Sequence, residues 1–152
     1  MGQCISATTG SNLLAFPLRA LAAKPRAMKS ILFVMVGGAL GAALRYWVAR
    51  ALPVSGSDWP WPTLVVNVFG GFIMGLLATW LLRAGDSGEP MRLLLGVGLL
   101  GGFTTFSAFS LEMAMMVERG QVVLAGSYAL ASVLLALVAL FAGLALGRGV
   151  LT

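Results

Sequence analysis

Four long apolar runs, separated by short polar connections, set the pattern of this chain from residue 30 onwards. The runs cover residues 30–52, 63–82, 91–117 and 122–146. Each is long enough to cross a hydrocarbon core of about 30 Å as a helix that rises about 1.5 Å per residue. The connections PVSGSDWPWP, RAGDSGEP and ERGQ hold turn formers and charges. The pattern predicts an all-α integral membrane protein with four transmembrane helices.

Glycine pairs four residues apart occur in every span. They are Gly37/Gly41, Gly71/Gly75, Gly98/Gly102 and Gly143/Gly147. Small residues at this spacing lie on one helix face and let helix backbones approach closely in lipid. The repetition predicts a tightly packed bundle with little internal space for a large solute. Trp59 and Trp61 lie where an aromatic belt at the membrane surface is expected.

The composition agrees with a lipid environment and leaves few reagents for catalysis. Of the 152 residues, 59% are hydrophobic and 10% are charged, with a mean hydropathy of +0.96. A soluble domain of this size needs a more strongly charged surface. The absence of histidine and the single cysteine argue against a zinc cluster or a cysteine–histidine dyad. The net charge of +5 comes from scattered basic residues, which favours membrane anchoring over nucleic-acid binding. We therefore expect a membrane protein that is not an enzyme.

The first 27 residues are mixed in polarity and precede a second methionine, Met28, which opens MKSILFVMVGG. We expect residues 1–27 to be a disordered extension or an overlong gene start, and residues 28–152 to form the membrane domain.

The basic residues of that domain give only a weak bias in orientation. The side with both termini carries Lys29, Arg83, Arg92 and Arg148. The other side carries Arg50 and Arg119, with Arg45 added if its head reaches outward. Because positive charge sets membrane orientation, so small a difference allows insertion both ways round.

Polar side chains within the spans are costly and tend to mark pathways. Arg45 fits an interfacial anchor or an arginine at the mouth of an anion path equally well. Thr63 and Asn67 are four residues apart in the second span, and Tyr128 and Ser132 repeat that spacing in the fourth. Each pair shares one helix face, which favours a polar track over an isolated hydrogen bond between helices.

The third span holds an unusually polar stretch, GGFTTFSAFS, at residues 101–110. Its two glycines each destabilise a helix interior by about 1 kcal/mol relative to alanine, and β-branched threonines follow them. We expect a helix break near the midplane, where freed backbone groups need protein, water or an ion as partners. Phe106 and Phe109 are three apart on one helix face, and their electropositive ring edges suit a small anion, although ordinary packing explains the spacing as well. For Glu112, a salt bridge and a vestibule position both remain open.

GGALGAALRYW, TLVVNVFGGFIMG and GGFTTFSAFS, in successive spans, strongly resemble the Fluc (CrcB) family of fluoride channels from Met28 to the end of the fourth span. The resemblance implies a fluoride-selective channel in the bacterial inner membrane that exports fluoride passively and lowers its cytoplasmic concentration. It implies four-span subunits that pair antiparallel as dual-topology homodimers with two pores. It also implies a structural sodium ion at the broken third helix, held by carbonyls of both subunits, which match Gly101 and Thr104 here.

By the same match, the expected fluoride-pore residues are Asn67, Phe106, Phe109, Thr63, Ser107, Ser110, Tyr128, Ser132 and Arg45. Three positions depart from the family pattern. Ala136 stands where many members have serine, which puts the far end of the polar track in doubt. Ala108 replaces a common threonine, and Pro62 replaces a usual glycine.

Other functions fit the residues less well. A proton-coupled small-molecule exporter of the four-helix, dual-topology type needs an embedded carboxylate, normally in the first span, and a roomy chamber. A scaffold subunit leaves the polar track unexplained, and an intramembrane enzyme lacks a base. The sequence leaves open whether the chain pairs with itself or with an oppositely oriented partner chain.

Overall fold

A computed structural model describes residues 25–52 and 59–150, and every regular element in those ranges is helical. Helix α1 is Pro25–Ala51, α2 is Trp61–Ala84, α3 covers residues 89–103, α4 is Ser107–Glu118 and α5 is Val122–Val150. A 3₁₀ turn, Gly85–Gly88, joins α2 to α3. Apart from the residues that begin α1, the predicted extension 1–27 lies outside the described residues.

Four helical stretches are long and apolar enough to cross a membrane, which confirms the four predicted spans. They are Ala27–Ala51, Trp61–Ala84, Glu89–Glu118 and Val122–Val150. The third combines α3 and α4. Large apolar side chains are exposed along all four stretches, as expected of helices that face lipid or another protein surface.

The turn between α4 and α5 shows why glycine stands in the ERGQ connection. The Gly120 amide donates to the Val117 carbonyl at 2.9 Å, and the Gln121 amide donates to the Met116 carbonyl at 2.9 Å. This pair of bonds forms a Schellman motif, which needs a left-handed residue after the helix. Gly120 supplies it with a φ of 77°. The chain then reverses at once into α5.

The glycines of the four spans pair off, so that α1 packs along α3 and α2 packs along α5. A Cβ atom on Gly98 would lie 2.9 Å from the Cα of Gly37. A Cβ atom on Gly71 would lie 2.8 Å from the Ala136 carbonyl oxygen, and one on Gly75 would lie 2.8 Å from the Leu144 nitrogen. Along both pairs the contacting residue numbers rise together, so the paired helices run parallel. Glycine is required because any side chain would collide with the facing backbone.

The third span is irregular before it breaks. Arg92–Leu100 is π-helical, and α-helical geometry returns at Gly101–Phe103. Thr104 then takes an extended conformation with a ψ of 156°, and α4 begins at Ser107. The predicted break is therefore present, but it follows the two glycines instead of lying at them. Gly102 remains helical because it packs against Gly38, whose carbonyl oxygen would lie 2.6 Å from a Cβ atom there.

Candidate functional site

The broken segment is held by the side-chain amide of Asn67 on α2. Asn67 Nδ2 donates to the Thr105 carbonyl at 3.1 Å, and the Thr105 amide donates to Asn67 Oδ1 at 2.9 Å. A backbone that leaves its helix within a membrane must find other hydrogen-bond partners. Asn67 supplies both for Thr105. An amide nitrogen carries two hydrogens, so one N–H remains besides the bond to Thr105.

At the break, two backbone amides donate to side chains and not to the carbonyls that they would bond in an unbroken helix. The Thr105 amide, which would bond Gly101, donates to Asn67. The Ala108 amide, which would bond Thr104, donates to Thr105 Oγ1 at 3.2 Å. Gly101 and Thr104 are the residues whose carbonyls the resemblance assigns to sodium. Oxygen atoms released from helical bonding are the donors that hard cations prefer, so this backbone fits such an ion.

A cluster of three side chains joins α2, α4 and α5 beside the break. Thr63 Oγ1 donates to Glu112 Oε1 at 2.5 Å, and the Tyr128 hydroxyl donates to Glu112 Oε2 at 2.8 Å. Thr63 and Tyr128 are buried, and Glu112 is half-buried. Thr63 and Tyr128 were predicted to line a polar track. In this conformation both of their hydroxyls donate to the Glu112 carboxylate. From the sequence, a salt bridge and a vestibule position were both open for Glu112, and its two hydroxyl partners were not predicted.

Arg45 turns inward from α1. Its Nε donates to the Gly102 carbonyl at 3.2 Å, one residue after the Gly101 carbonyl. It also lines a cavity of about 280 Å³ together with Thr63, Thr105 and Glu112. The sequence left open an interfacial anchor and an arginine at the mouth of an anion path. The side chain turns towards this cavity, and its part in an anion path stays a prediction.

A second depression is an open groove of about 410 Å³. Asn67, Phe106, Phe109 and Ser132 line it with Thr105, which borders both spaces. The residue that Asn67 holds therefore belongs to the lining of both the first cavity and the groove.

The two phenylalanines contact each other but differ in exposure. Their ring centroids are 5.7 Å apart. Phe106 precedes the first turn of α4 and is 78% exposed, whereas Phe109 lies within α4 and is 8% exposed. They were expected to share one helix face after the break. The break instead leaves Phe106 projecting from the single chain.

The remaining serines are distributed unevenly. Ser132 is buried in the groove, and Ala136 follows it along the same lining, so that the polar lining of α5 ends at Ser132. Ser107 and Ser110 are exposed on α4. Ser107 Oγ lies 3.2 Å from Thr105 Oγ1, and Ser110 Oγ donates to the Phe106 carbonyl at 2.9 Å. Within the described residues no group of three or more acidic, histidine or cysteine side chains could hold a metal ion.

Comparison with known proteins adds a family to this geometry. The family model described as "CrcB-like protein, Camphor Resistance (CrcB)" matches residues 32–144. The Fluoride-specific ion channel FluC of Caulobacter sp. (strain K31) is 54% identical over 123 residues, which cover 80% of this chain and 96% of that protein. The protein of the same name from Novosphingobium aromaticivorans is 51% identical over 126 residues, which cover 81% of this chain and 99% of the relative. The matched family segment spans all the candidate site residues.

Proposed function

The chain belongs to the CrcB-like protein family, and from that premise we propose that it is a fluoride-selective ion channel. The observation that supports the ion is the 54% identity, over nearly the whole length of the relative, to a protein named as a fluoride-specific channel. The observation that supports the pathway is that Thr105 lines both the Arg45 cavity and the phenylalanine groove.

Fluoride is small and strongly hydrated, so a selective path must replace its water with other hydrogen-bond donors. Arg45 offers a guanidinium in the first cavity, and Asn67 offers its second amide hydrogen at the junction. In the groove, Ser132 offers a hydroxyl, and the rings of Phe106 and Phe109 offer electropositive edges. We propose that the ion passes these groups in that order or the reverse.

The Glu112 cluster gives the path a further element. A carboxylate in the Arg45 cavity would compete with an anion for the guanidinium. The hydroxyls of Thr63 and Tyr128 hold both carboxylate oxygens, and so they restrain the carboxylate from turning towards Arg45. We propose that these three side chains affect conduction by keeping the negative charge of Glu112 away from Arg45.

We propose that the working unit is an antiparallel, dual-topology homodimer. The groove is open along the surface of a single chain, and Phe106 projects from it with 78% exposure. A second copy would cover that ring and close the groove into a pore. The weak charge bias between the two sides of the domain supports insertion in both orientations.

We further propose a structural sodium ion at the break, held by the carbonyl oxygens of Gly101 and Thr104 from both copies. Its positive charge would offset the repulsion that an anion meets at the middle of the membrane. A stabilising ion raises the melting temperature with its concentration. We expect the purified dimer to melt higher in sodium chloride than in N-methylglucamine chloride at equal ionic strength, and equal melting would contradict this site.

In the cell, the proposed location is the bacterial inner membrane and the proposed task is passive export. Fluoride enters from acid surroundings as neutral HF and ionises inside, where the anion is trapped. A channel then lets it leave down its electrochemical gradient, which lowers its cytoplasmic concentration. The lowered concentration is what would protect the cell.

A proton-coupled exporter is the second candidate, because Glu112 places one carboxylate beside a cavity within a span. The two functions separate in liposomes that contain the purified protein. A passive channel releases fluoride without a pH gradient and retains chloride, as ion-selective electrodes read in parallel would record. Efflux that requires an inward proton gradient would favour the exporter, and retention of both ions by the folded dimer would contradict the channel and leave the small-molecule exporter as the stronger candidate.

A further inference from the structure

Two tryptophans that flank Pro60 differ in exposure, although their ring centroids lie only 6.0 Å apart. Trp61 is 52% exposed, as expected of an aromatic belt at the membrane surface. Trp59 was expected to lie in the same belt, but it is half-buried and packs against the buried cluster that contains Tyr128 and Phe109. A position in an aromatic belt therefore accounts for the exposed Trp61 but not for the half-buried Trp59.

Trp59 forms one side of the packing around Tyr128. The two ring centroids are 5.6 Å apart with the planes at 83°, which is an edge-to-face contact. Phe109 packs against the same ring at 5.3 Å. Tyr128 is 0% exposed. Its ring position is thus fixed by aromatic neighbours, and a tyrosine with a fixed ring has a fixed hydroxyl oxygen.

That hydroxyl is the donor to Glu112 Oε2 at 2.8 Å. Trp59 is itself tied to the start of α2, because its carbonyl accepts the Trp61 amide at 2.9 Å. Thr63 follows Trp61 within the first turn of α2, and it donates to the other oxygen of Glu112. One end of α2 therefore supports both donors to the carboxylate, Thr63 directly and Tyr128 through the indole of Trp59.

We propose that Trp59 is a positioning residue of the conduction pathway, which acts by holding the Tyr128 hydroxyl on Glu112. This inference rests on the proposed fluoride channel. Without the indole, the Tyr128 ring gains freedom on one side and its hydroxyl leaves the carboxylate. Glu112 then turns within the cavity that it shares with Arg45, where its negative charge opposes an entering anion.

The test is a double-mutant cycle on fluoride efflux from liposomes, with Trp59→Leu, Tyr128→Phe and the double variant. Trp59→Leu keeps an apolar side chain but removes the ring edge, and we expect efflux to slow by about fivefold, a common size for coupling between neighbours. Tyr128→Phe removes the hydroxyl and slows efflux as well. Because Trp59 acts through that hydroxyl, the double variant is no slower than Tyr128→Phe alone.

Two further variants separate positioning from general damage. Trp59→Phe retains a ring edge and restores efflux to near the wild-type rate. Trp80→Leu removes a tryptophan from the other end of α2, 42% exposed, and leaves efflux unchanged. If Trp59→Leu does not yield a folded dimer by gel filtration and melting, Trp59→Met replaces it in the cycle, because methionine fills irregular gaps.

Wild-type efflux in the Leu or Met variant overturns the inference, and so do effects of Trp59 and Tyr128 that multiply in the double variant. A Phe variant as slow as the Leu variant also overturns it. In all these cases the wild-type chain still moves fluoride, so the proposed function stands. A folded wild-type chain that moves no fluoride overturns the proposed function and this inference together.

Discussion

At the scale of single residues, the site depends on polar groups that satisfy one another within lipid. Asn67 binds both backbone groups of Thr105, and Glu112 accepts hydroxyl hydrogens from Thr63 and Tyr128. An unsatisfied buried donor or acceptor costs about 1–3 kcal/mol, so each of these groups has a structural reason to be present. All of these residues except Tyr128 also line the two spaces proposed to carry the anion. Structure and conduction therefore rest on shared residues.

Phe106 is the residue whose role can be separated from packing, because its ring is 78% exposed in the single chain. We expect Phe106→Ile to slow fluoride efflux by about tenfold or more, since losing about 1.4 kcal/mol of ring-edge attraction slows a step tenfold. Efflux from liposomes measures the rate, and gel filtration checks that the dimer persists.

Phe69→Ile is the matched control for that substitution. Phe69 is also exposed, at 56%, and it is not among the residues that line the groove at the break. It should retain wild-type efflux. If Phe106→Ile matches the control, the ring edges have no part in conduction.

At the scale of elements, the four spans were predictable from hydropathy because a chain in lipid must form its backbone hydrogen bonds internally. The glycine spacing also indicated close packing, but not that α1 pairs with α3 and α2 with α5. Hydropathy carries no information on helical register, so the π-helix Arg92–Leu100 had no signal. The break was predicted from GGFTTFSAFS, and its displacement to Thr104 follows from the packing of Gly102 on Gly38.

Only the part of the site that depends on residues close together in the sequence was predictable. Thr63 and Asn67 share a face of α2, and that pairing was evident from the sequence. The partners of Glu112 were not evident, because they come from α2 and α5 and only the fold brings them together. Trp59 was missed for the same reason, since its neighbour Tyr128 lies on the last helix.

The parallel pairing of α2 and α5 makes a prediction of its own. In Gly143→Ala, the added methyl would collide with the backbone of Phe72, and overpacking of this kind costs about 1–3 kcal/mol. We expect a lower melting temperature in detergent. Gly126→Ala on the same helix has nothing within 4 Å of the added atom, and it should melt at or above the wild-type temperature. Equal loss in both variants would contradict the pairing.

At the scale of the whole molecule, the proposed pore needs a second copy in the opposite orientation. We expect single cysteines placed at exposed Ser87 and Glu118, on opposite sides of the membrane, to be labelled to about half each in intact cells by an impermeant thiol reagent. Cys4→Ser serves as the background. Full labelling at one site and none at the other would show a single fixed orientation and contradict the dual topology.

The central claim is that fluoride crosses where Asn67 holds the break of the third span. The most direct measurement is fluoride efflux from liposomes that contain Asn67→Ala, beside the wild type and Thr79→Val. Thr79 is a buried hydroxyl on the same helix that donates to its own helix carbonyls, so its loss controls for removing a polar group from α2. We expect Asn67→Ala to slow efflux by about a hundredfold, as a loss of about 2.7 kcal/mol would, and Thr79→Val to conduct like the wild type. Wild-type efflux through a folded Asn67→Ala dimer would place the pathway elsewhere.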